Sequence, residues 1–230
     1  MGALGDLREF NRQRVIDALR RVGTASRSDL ARATGLSRTT VSTVVSDLQE
    51  RGFVVEQAED VPVQAGRGRP PVLVRLDVAA GAALGVAFSH SDVRVAVADL
   101  SSTVLAERQR DLDVANGAAD AAFAVAAELV DAAISAAGVE RERLVGCTAA
   151  VPAPLDRTSG VVAAPVILPG WADVPVAERL SAQLDLDVNV DNDANLEAVG
   201  ELVFGAARGI DDFVYVKLSN GVGSALVLDG

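Results

Sequence analysis

The stretch SRSDLARATGLSRTTVSTVVSDLQERGFVV, residues 26–55, constrains the fold more than any other part of the chain. It carries two sets of helix start signals around a glycine. Ser26 or Ser28 can cap a first helix whose apolar side is Leu30, Ala31 and Ala33, and Gly35 can take the left-handed conformation that ends it. Ser37 can cap a second helix that buries Val41, Val44, Val45 and Leu48. Upstream, Leu7, Phe10, Val15, Ala18, Leu19 and Val22 fall close to helical spacing and predict a helix over 7–22. Three helices with a tight turn between the last two are helix-turn-helix spacing; an ordinary helical hairpin with a polar outer face is the alternative.

In such a motif the second helix enters the major groove N-terminus first. The side chains there are Ser37, Arg38, Thr39, Thr40, Ser42 and Thr43, small donors and acceptors with one guanidinium suited to a guanine edge or a phosphate. Charge agrees. Residues 1–75 hold 12 arginines against 9 carboxylates, whereas residues 76–230 hold 9 basic residues against 23 acidic ones. The overall charge of −11 therefore hides a basic N-terminal module, 1–75, and an acidic body, 76–230. Double-stranded DNA is the expected partner of the first.

Beyond RGFVV, two short extended runs around polar and turn residues predict a β-hairpin wing. Within it, GRGRPP places Arg67 and Arg69 between glycines and prolines. Such a segment suits a narrow minor groove, or serves as a stiff solvated linker. Both readings stay open.

The body alternates. AALGVAFS, VRVAVADL and TVLAERQRDL predict three strands of an antiparallel meander, and residues 117–137 an amphipathic helix. RLVGCTAAVP reads as a buried strand, VPVAERLSAQL as a helix, DVNVD as a strand and ANLEAVGELVFG as a helix, before two further strands, FVYVKLS and SALVLDG. Strands alternating with helices indicate a parallel-containing α/β sheet. One cysteine and one histidine leave no disulfide framework and lack the usual zinc ligands, so neither a metal nor another cofactor is expected. Charged residues interrupt the first twenty positions and every long apolar run, so no signal peptide, membrane span or membrane partner is expected, and the expected compartment is the cytoplasm.

The order of these parts is specific. A winged helix-turn-helix, GRGRPP, a meander beginning LGV, then VPAPLDRTSGVVAAPVILPGW, VDNDANLEAVGE and NGVGSALVLDG resembles the ROK family of repressors and sugar kinases along nearly the whole chain, in its regulator branch. The resemblance implies an actin-like, ribonuclease H-like sugar kinase lobe after the DNA-binding module, with the second lobe mostly missing beyond its opening strands. It also implies a homodimer or higher homo-oligomer and a sugar or sugar-phosphate effector. Asp193 matches the kinases' general base and Asn192 its neighbour, so both are candidate sugar ligands; from the residues alone, either could simply cap the helix that follows.

Departures from the family pattern argue against catalysis. Kinases of the family carry a glycine hairpin close to GIDIGGTK that cradles ATP phosphates. Here GVAFSHSD puts Ala87, Ser89 and His90 in its place and adds Asp92, and no glycine occurs between Gly85 and Gly117. His90 is expected to be a surface-turn residue. Ile167 stands where relatives often have a sugar-binding Asn before LPGW, and the family's histidine- and cysteine-rich zinc motif would fall beyond Gly230. The expectation is a DNA-binding regulator, a repressor of carbohydrate genes, with no catalytic residues and with weak or absent sugar binding by this chain alone. A sugar kinase with an accessory module, and a shortened regulator that no longer senses sugar, are the alternatives.

Overall fold

Local hydrogen bonds at Ser26, Gly35 and Ser37 set the N-terminal architecture. The computed structural model describes residues 3–58, 72–156, 158–164 and 166–230, and the chain divides into two compact units, Met1–Ala82 with Ala98–Thr103, and Ala83–Val97 with Val104–Gly230.

In the first unit, helix α1 (Ala3–Val22) is followed by a short strand β1 (Thr24–Ser26), α2 (Arg27–Thr34), α3 (Arg38–Glu50), β2 (Val54–Ala58) and β3 (Val72–Leu76). Ser26, not Ser28, caps α2. Its hydroxyl accepts from Asp29 N while the Asp29 carboxylate accepts from Ser26 N, a reciprocal capping box. Gly35 closes α2 at φ 67°, a left-handed conformation that costs glycine little. Thr34 is buried and its hydroxyl donates to Leu30 O at 2.6 Å, which ties down the last turn of α2.

Val15, Ala18 and Leu19 of α1 pack with Leu30, Val41, Val45 and Leu48 and with Val54 and Val74 of the wing strands. Leu7, Phe10 and Val22 do not join this core and stand more than half exposed. Ala33 is likewise exposed and Thr34 takes the buried place. Helical spacing identifies a face, and only the length of the packed partners decides how far along it burial extends. The wing is antiparallel, with β3 central between β1 and β2. Three-residue β1 is too short to carry a sequence pattern. GRGRPP, with Arg67 and Arg69, lies outside the described residues.

The second unit is built on a five-stranded sheet in the order β6-β5-β4-β7-β8. Its strands are β4 (Ala82–Phe88), β5 (Asp92–Asp99), β6 (Val104–Asp111), β7 (Leu144–Val151) and β8 (Val188–Asn192). Three- and four-residue turns join β4, β5 and β6, a connection that only antiparallel neighbours permit. By contrast β7 and β8 run parallel, Cys147 opposite Val188 through Val151 opposite Asn192. Helices α4 (Ala119–Ala137) and α5 (Val176–Leu184) lie in the connections of that parallel part, and α6 (Asp193–Phe204) follows β8 directly. The first half of β7 is less buried than its apolar sequence predicts, with Val145 51% exposed. Strands β9 (Phe213–Leu218) and β10 (Val222–Val227) form a separate antiparallel hairpin.

LPGW is a packing motif here. Trp171 is fully buried and meets Phe88 and Phe123 edge to face, at centroid distances of 5.2 and 5.1 Å. Gly170 beside it lies so close to the turn before α4 that an added Cβ would sit 2.2 Å from Gly117 O. Among the described residues no helix is long and apolar enough to cross a membrane.

Candidate functional site

Each unit carries a candidate site. In the first, Ser37 has extended backbone angles and its Oγ accepts from Thr40 N at 3.1 Å. That bond uses one of the helix's unpaired first-turn amides. The Ser37 and Thr40 hydroxyls also bond each other at 2.8 Å, and the Thr43 hydroxyl donates to Thr39 O at 3.0 Å. Ser37, Thr40 and Thr43 therefore shape the helix as well as its surface. Arg38, Thr39 and Thr43 are exposed and Ser42 half-buried, and Thr39, Ser42, Thr43 and Ser46 line a shallow groove along the outer face of α3.

The groove ends at acidic residues that the sequence reading passed over, Asp47 and Glu50. Arg12 of α1 reaches Asp47 Oδ2 with two nitrogens, at 2.8 and 3.0 Å, and Arg51 lies 3.3 Å from Oδ1. Partial burial opposes the charge of Asp47, but these guanidiniums, Arg12 foremost, outweigh it and hold the carboxyl below its ordinary pKa. The cluster pins α3 to α1 and limits the hydroxyl-rich, cationic surface to the first turns of α3.

In the second unit, a cleft of about 1080 Å³ opens beside the junction of β8 and α6. The C-terminal end of a parallel strand is where α/β sheets place ligands. Asn192 caps α6, its Oδ1 accepting from Ala194 N at 3.0 Å. Asp193 lies in the first turn and its Oδ1 accepts from the same amide at 2.8 Å. Both side chains nevertheless line the cleft, so capping and facing a ligand are not alternatives at this joint.

Sequence reasoning missed the residue that governs Asp193. Lys217, on β9, places Nζ 2.8 Å from Asp193 Oδ2 and 2.5 Å from Glu197 Oε1. The Tyr215 hydroxyl donates to the other Glu197 oxygen at 2.9 Å. Burial works against the Lys217 charge, yet the bonds to Asp193 and then Glu197 outweigh it and raise the ammonium above its ordinary pKa. Tyr215 is also raised, first by its bond to Glu197. One signal was available: the chain has 20 arginines and a single lysine. A compact ammonium with three donors suits a bridge between two carboxylates one helical turn apart. Gly223 of β10 completes the joint: a Cβ added there would sit 3.3 Å from the Ala194 methyl, a tight contact.

The turn between β4 and β5 uses its own amides. Ser89 N donates to Asp92 O, while Ser91 N and Asp92 N donate to Ser89 Oγ. The Ser89 hydroxyl in turn donates to Asp92 Oδ2 at 2.6 Å. His90 is not the simple surface residue expected from its turn. It is half-buried and lines the cleft, held by Val114 N and Ala115 N donating to its carbonyl at 3.1 Å. Ile167, 37% exposed, lines the cleft as well and presents an apolar surface. Asp156 contributes a carboxylate kept below its ordinary pKa by the Ser159 amide, the Ser159 hydroxyl and the Thr158 amide.

These parts define a class, a winged helix-turn-helix unit joined to a sugar-kinase-like α/β unit. Residues 83–230 match the ROK family and residues 11–61 the MarR family. The chain belongs to the ROK family. It is 25% identical to the xylose repressor of Bacillus subtilis (strain 168) over 97% of this chain and 56% of the repressor. The glucokinase of Thermotoga maritima is 29% identical but pairs with 64% of this chain and 44% of its own length. A solved ROK family transcriptional regulator, described as a homologue of the E. coli Mlc protein, has the same fold across 97% of this chain and 55% of its own, with TM-score 0.72 and 22% identity. The chain thus spans about half the length of the relatives it matches along both units.

Proposed function

We propose that this chain is the DNA-binding and effector-facing portion of a transcriptional regulator, a repressor of carbohydrate genes that works without kinase activity. The observation that carries the reading is the surface of α3: a serine-capped helix start with Arg38, Thr39, Ser42 and Thr43 at its outer face, in a unit similar to the MarR family. The N-terminal turns of such a helix read base edges, and Arg67 and Arg69 extend the contact to the neighbouring groove. A dimer presents two such helices to an operator.

The effector is a sugar or sugar phosphate held at Asn192 and Asp193. It acts by binding one arrangement of the paired recognition helices more tightly than another. Support against phosphoryl transfer comes from the β4–β5 turn, whose Ser89, Ser91 and Asp92 amides are spent within the turn. Phosphoryl transfer depends on positioning and neutralising phosphate, which this turn does not offer. Cytoplasmic placement follows from the DNA target.

A genome-wide DNA pull-down with the purified protein tests the reading. Recovery of a shared, two-fold-related motif beside carbohydrate genes is the expected result. Recovery of DNA without any shared sequence would refute it. Ile167 favours one variant of the proposal, a regulator that has lost sensing, and effector titration on the protein–DNA complex separates the two.

A further inference from the structure

Two arginines of α1 reach the other two helices of the first unit. Val15, Ala18 and Leu19 form the buried stripe of α1. Arg12 stands one turn before Val15 and Arg14 one turn before Ala18, so both side chains leave from that stripe. Arg12 places Nε and Nη2 at 3.0 and 2.8 Å from Asp47 Oδ2 on α3, and its remaining nitrogen pairs with Glu9. Its side chain is 17% exposed and offers little surface of its own to a ligand. Arg14 donates to Thr34 O, among the last carbonyls of α2, and a Cβ at Gly35 would stand 3.6 Å from the same nitrogen. That end of a helix attracts a cation. The exposed ring of Phe10 lies under the Arg14 guanidinium, so an apolar residue left out of the core serves as its platform.

These contacts bear on recognition because packing alone leaves a helix some freedom of angle. A tilt of about 15° moves the far end of a helix about 20 Å long by about 5 Å. Base-edge hydrogen bonds do not survive such a shift. Attraction to the phosphates does, since it is electrostatic and asks for no fixed pose. Asp47 also lines the outer groove of α3, where an unpaired carboxylate would repel DNA. Charge gives no reason for it to be there; its bond to Arg12 does.

We infer that Arg12 and Asp47, with Arg14 at the turn, are positioning residues for sequence recognition. They fix α3 and the end of α2 against α1, and so decide which bases the first turns of α3 reach, without touching DNA themselves. The inference rests on the DNA-binding reading of α3 and adds α1 to the recognition element.

The test is fluorescence anisotropy of the 230-residue chain, at fixed salt, on an operator recovered by pull-down and on a scrambled duplex of the same length and composition. Asp47→Asn should bind the operator at least about fivefold more weakly than the parent, the value of one base contact, yet bind the scrambled duplex equally or more tightly. Charge alone would make this variant bind both duplexes more tightly. Arg12→Met and Arg14→Met should lose more on the operator than on the scrambled duplex, and Arg12→Lys, which keeps a cation but not the fork, should recover part of the loss. Circular dichroism at the assay temperature verifies the fold; where Arg12→Met does not fold, Asp47→Asn and Arg12→Lys decide the outcome. Asp47→Asn binding the operator as tightly as the parent, or more tightly, overturns the inference and leaves DNA recognition by α3 standing. Equal loss on the two duplexes in Asp47→Asn or Arg12→Met also overturns it, since the pair would then serve affinity alone. A parent chain that binds both duplexes equally overturns the regulator reading together with the inference. An unchanged Arg14→Met removes the turn from the clamp.

Discussion

Lys217 Nζ sits 2.8 Å from Asp193 Oδ2, joining a strand of the C-terminal hairpin to the first turn of α6. The same ammonium holds Glu197, so two carboxylates at i and i+4 on one helix, a repulsive pair on their own, share one cation. Lys217→Met should therefore destabilise the second unit by about 1–2 kcal/mol, a partly exposed cluster losing less than a buried one. Thermal unfolding of the variant and of Lys217→Met/Glu197→Gln checks this. The double variant should recover part of the loss, since it relieves the repulsion.

The pH dependence of this bridge has a definite sign. Lys217 is raised above its ordinary pKa, so its contribution is fully present below the unfolded lysine value and is lost as pH rises through the folded one. Asp47 and Asp156 are lowered, so theirs is present above the unfolded carboxylate value and fades as pH falls through the folded ones. Unfolding midpoints measured across pH should hold a plateau near neutrality and fall at both extremes. In Lys217→Met the alkaline fall should shrink.

How much of this was legible in the sequence depends on distance along the chain. Ser26, Gly35 and Ser37 could be read because each acts on residues within three or four positions of itself. Phe10 was legible as part of a helix but not in its burial, which its neighbours decide; in the fold its ring is exposed, with the Arg14 guanidinium 5.6 Å from its centre. The Asp193–Lys217 pair joins residues 24 positions apart, and no local pattern announces such a bond. Asp193 itself stood out only through the family resemblance, whereas its position at the end of β8 follows from strand and helix pattern.

Gly170 offers a test of LPGW as a structural motif. An added methyl would overlap Gly117 O, so Gly170→Ala should cost at least about 2 kcal/mol and loosen the packing of Trp171. Tryptophan fluorescence reports the change directly, because the chain has a single Trp. An unshifted emission maximum with unchanged stability would contradict the assignment.

Cys147 provides an independent probe of the sheet. Burial pushes its thiol up to about 11, against a weaker opposing effect of Arg141. At pH 8 a thiol reagent should label the native chain slowly, at the rate at which β7 opens. Labelling in urea should be fast and complete. Rapid labelling without denaturant would show that β7 is not packed as described.

The cap of α3 separates stability from recognition. Ser37→Ala should cost about 1 kcal/mol in the first unit and weaken DNA binding with it. Arg38→Ala, at an exposed position, should leave unfolding within about 0.5 kcal/mol of the parent.

Fluorescence anisotropy on an operator recovered by pull-down, at fixed salt, tests the division of labour between the two units most directly. Arg38→Ala should weaken specific binding by at least about tenfold, the value of one good base or phosphate contact, while Asp193→Ala stays within about twofold of the parent without effector. Equal loss in the two variants, or none in Arg38→Ala, would contradict the account.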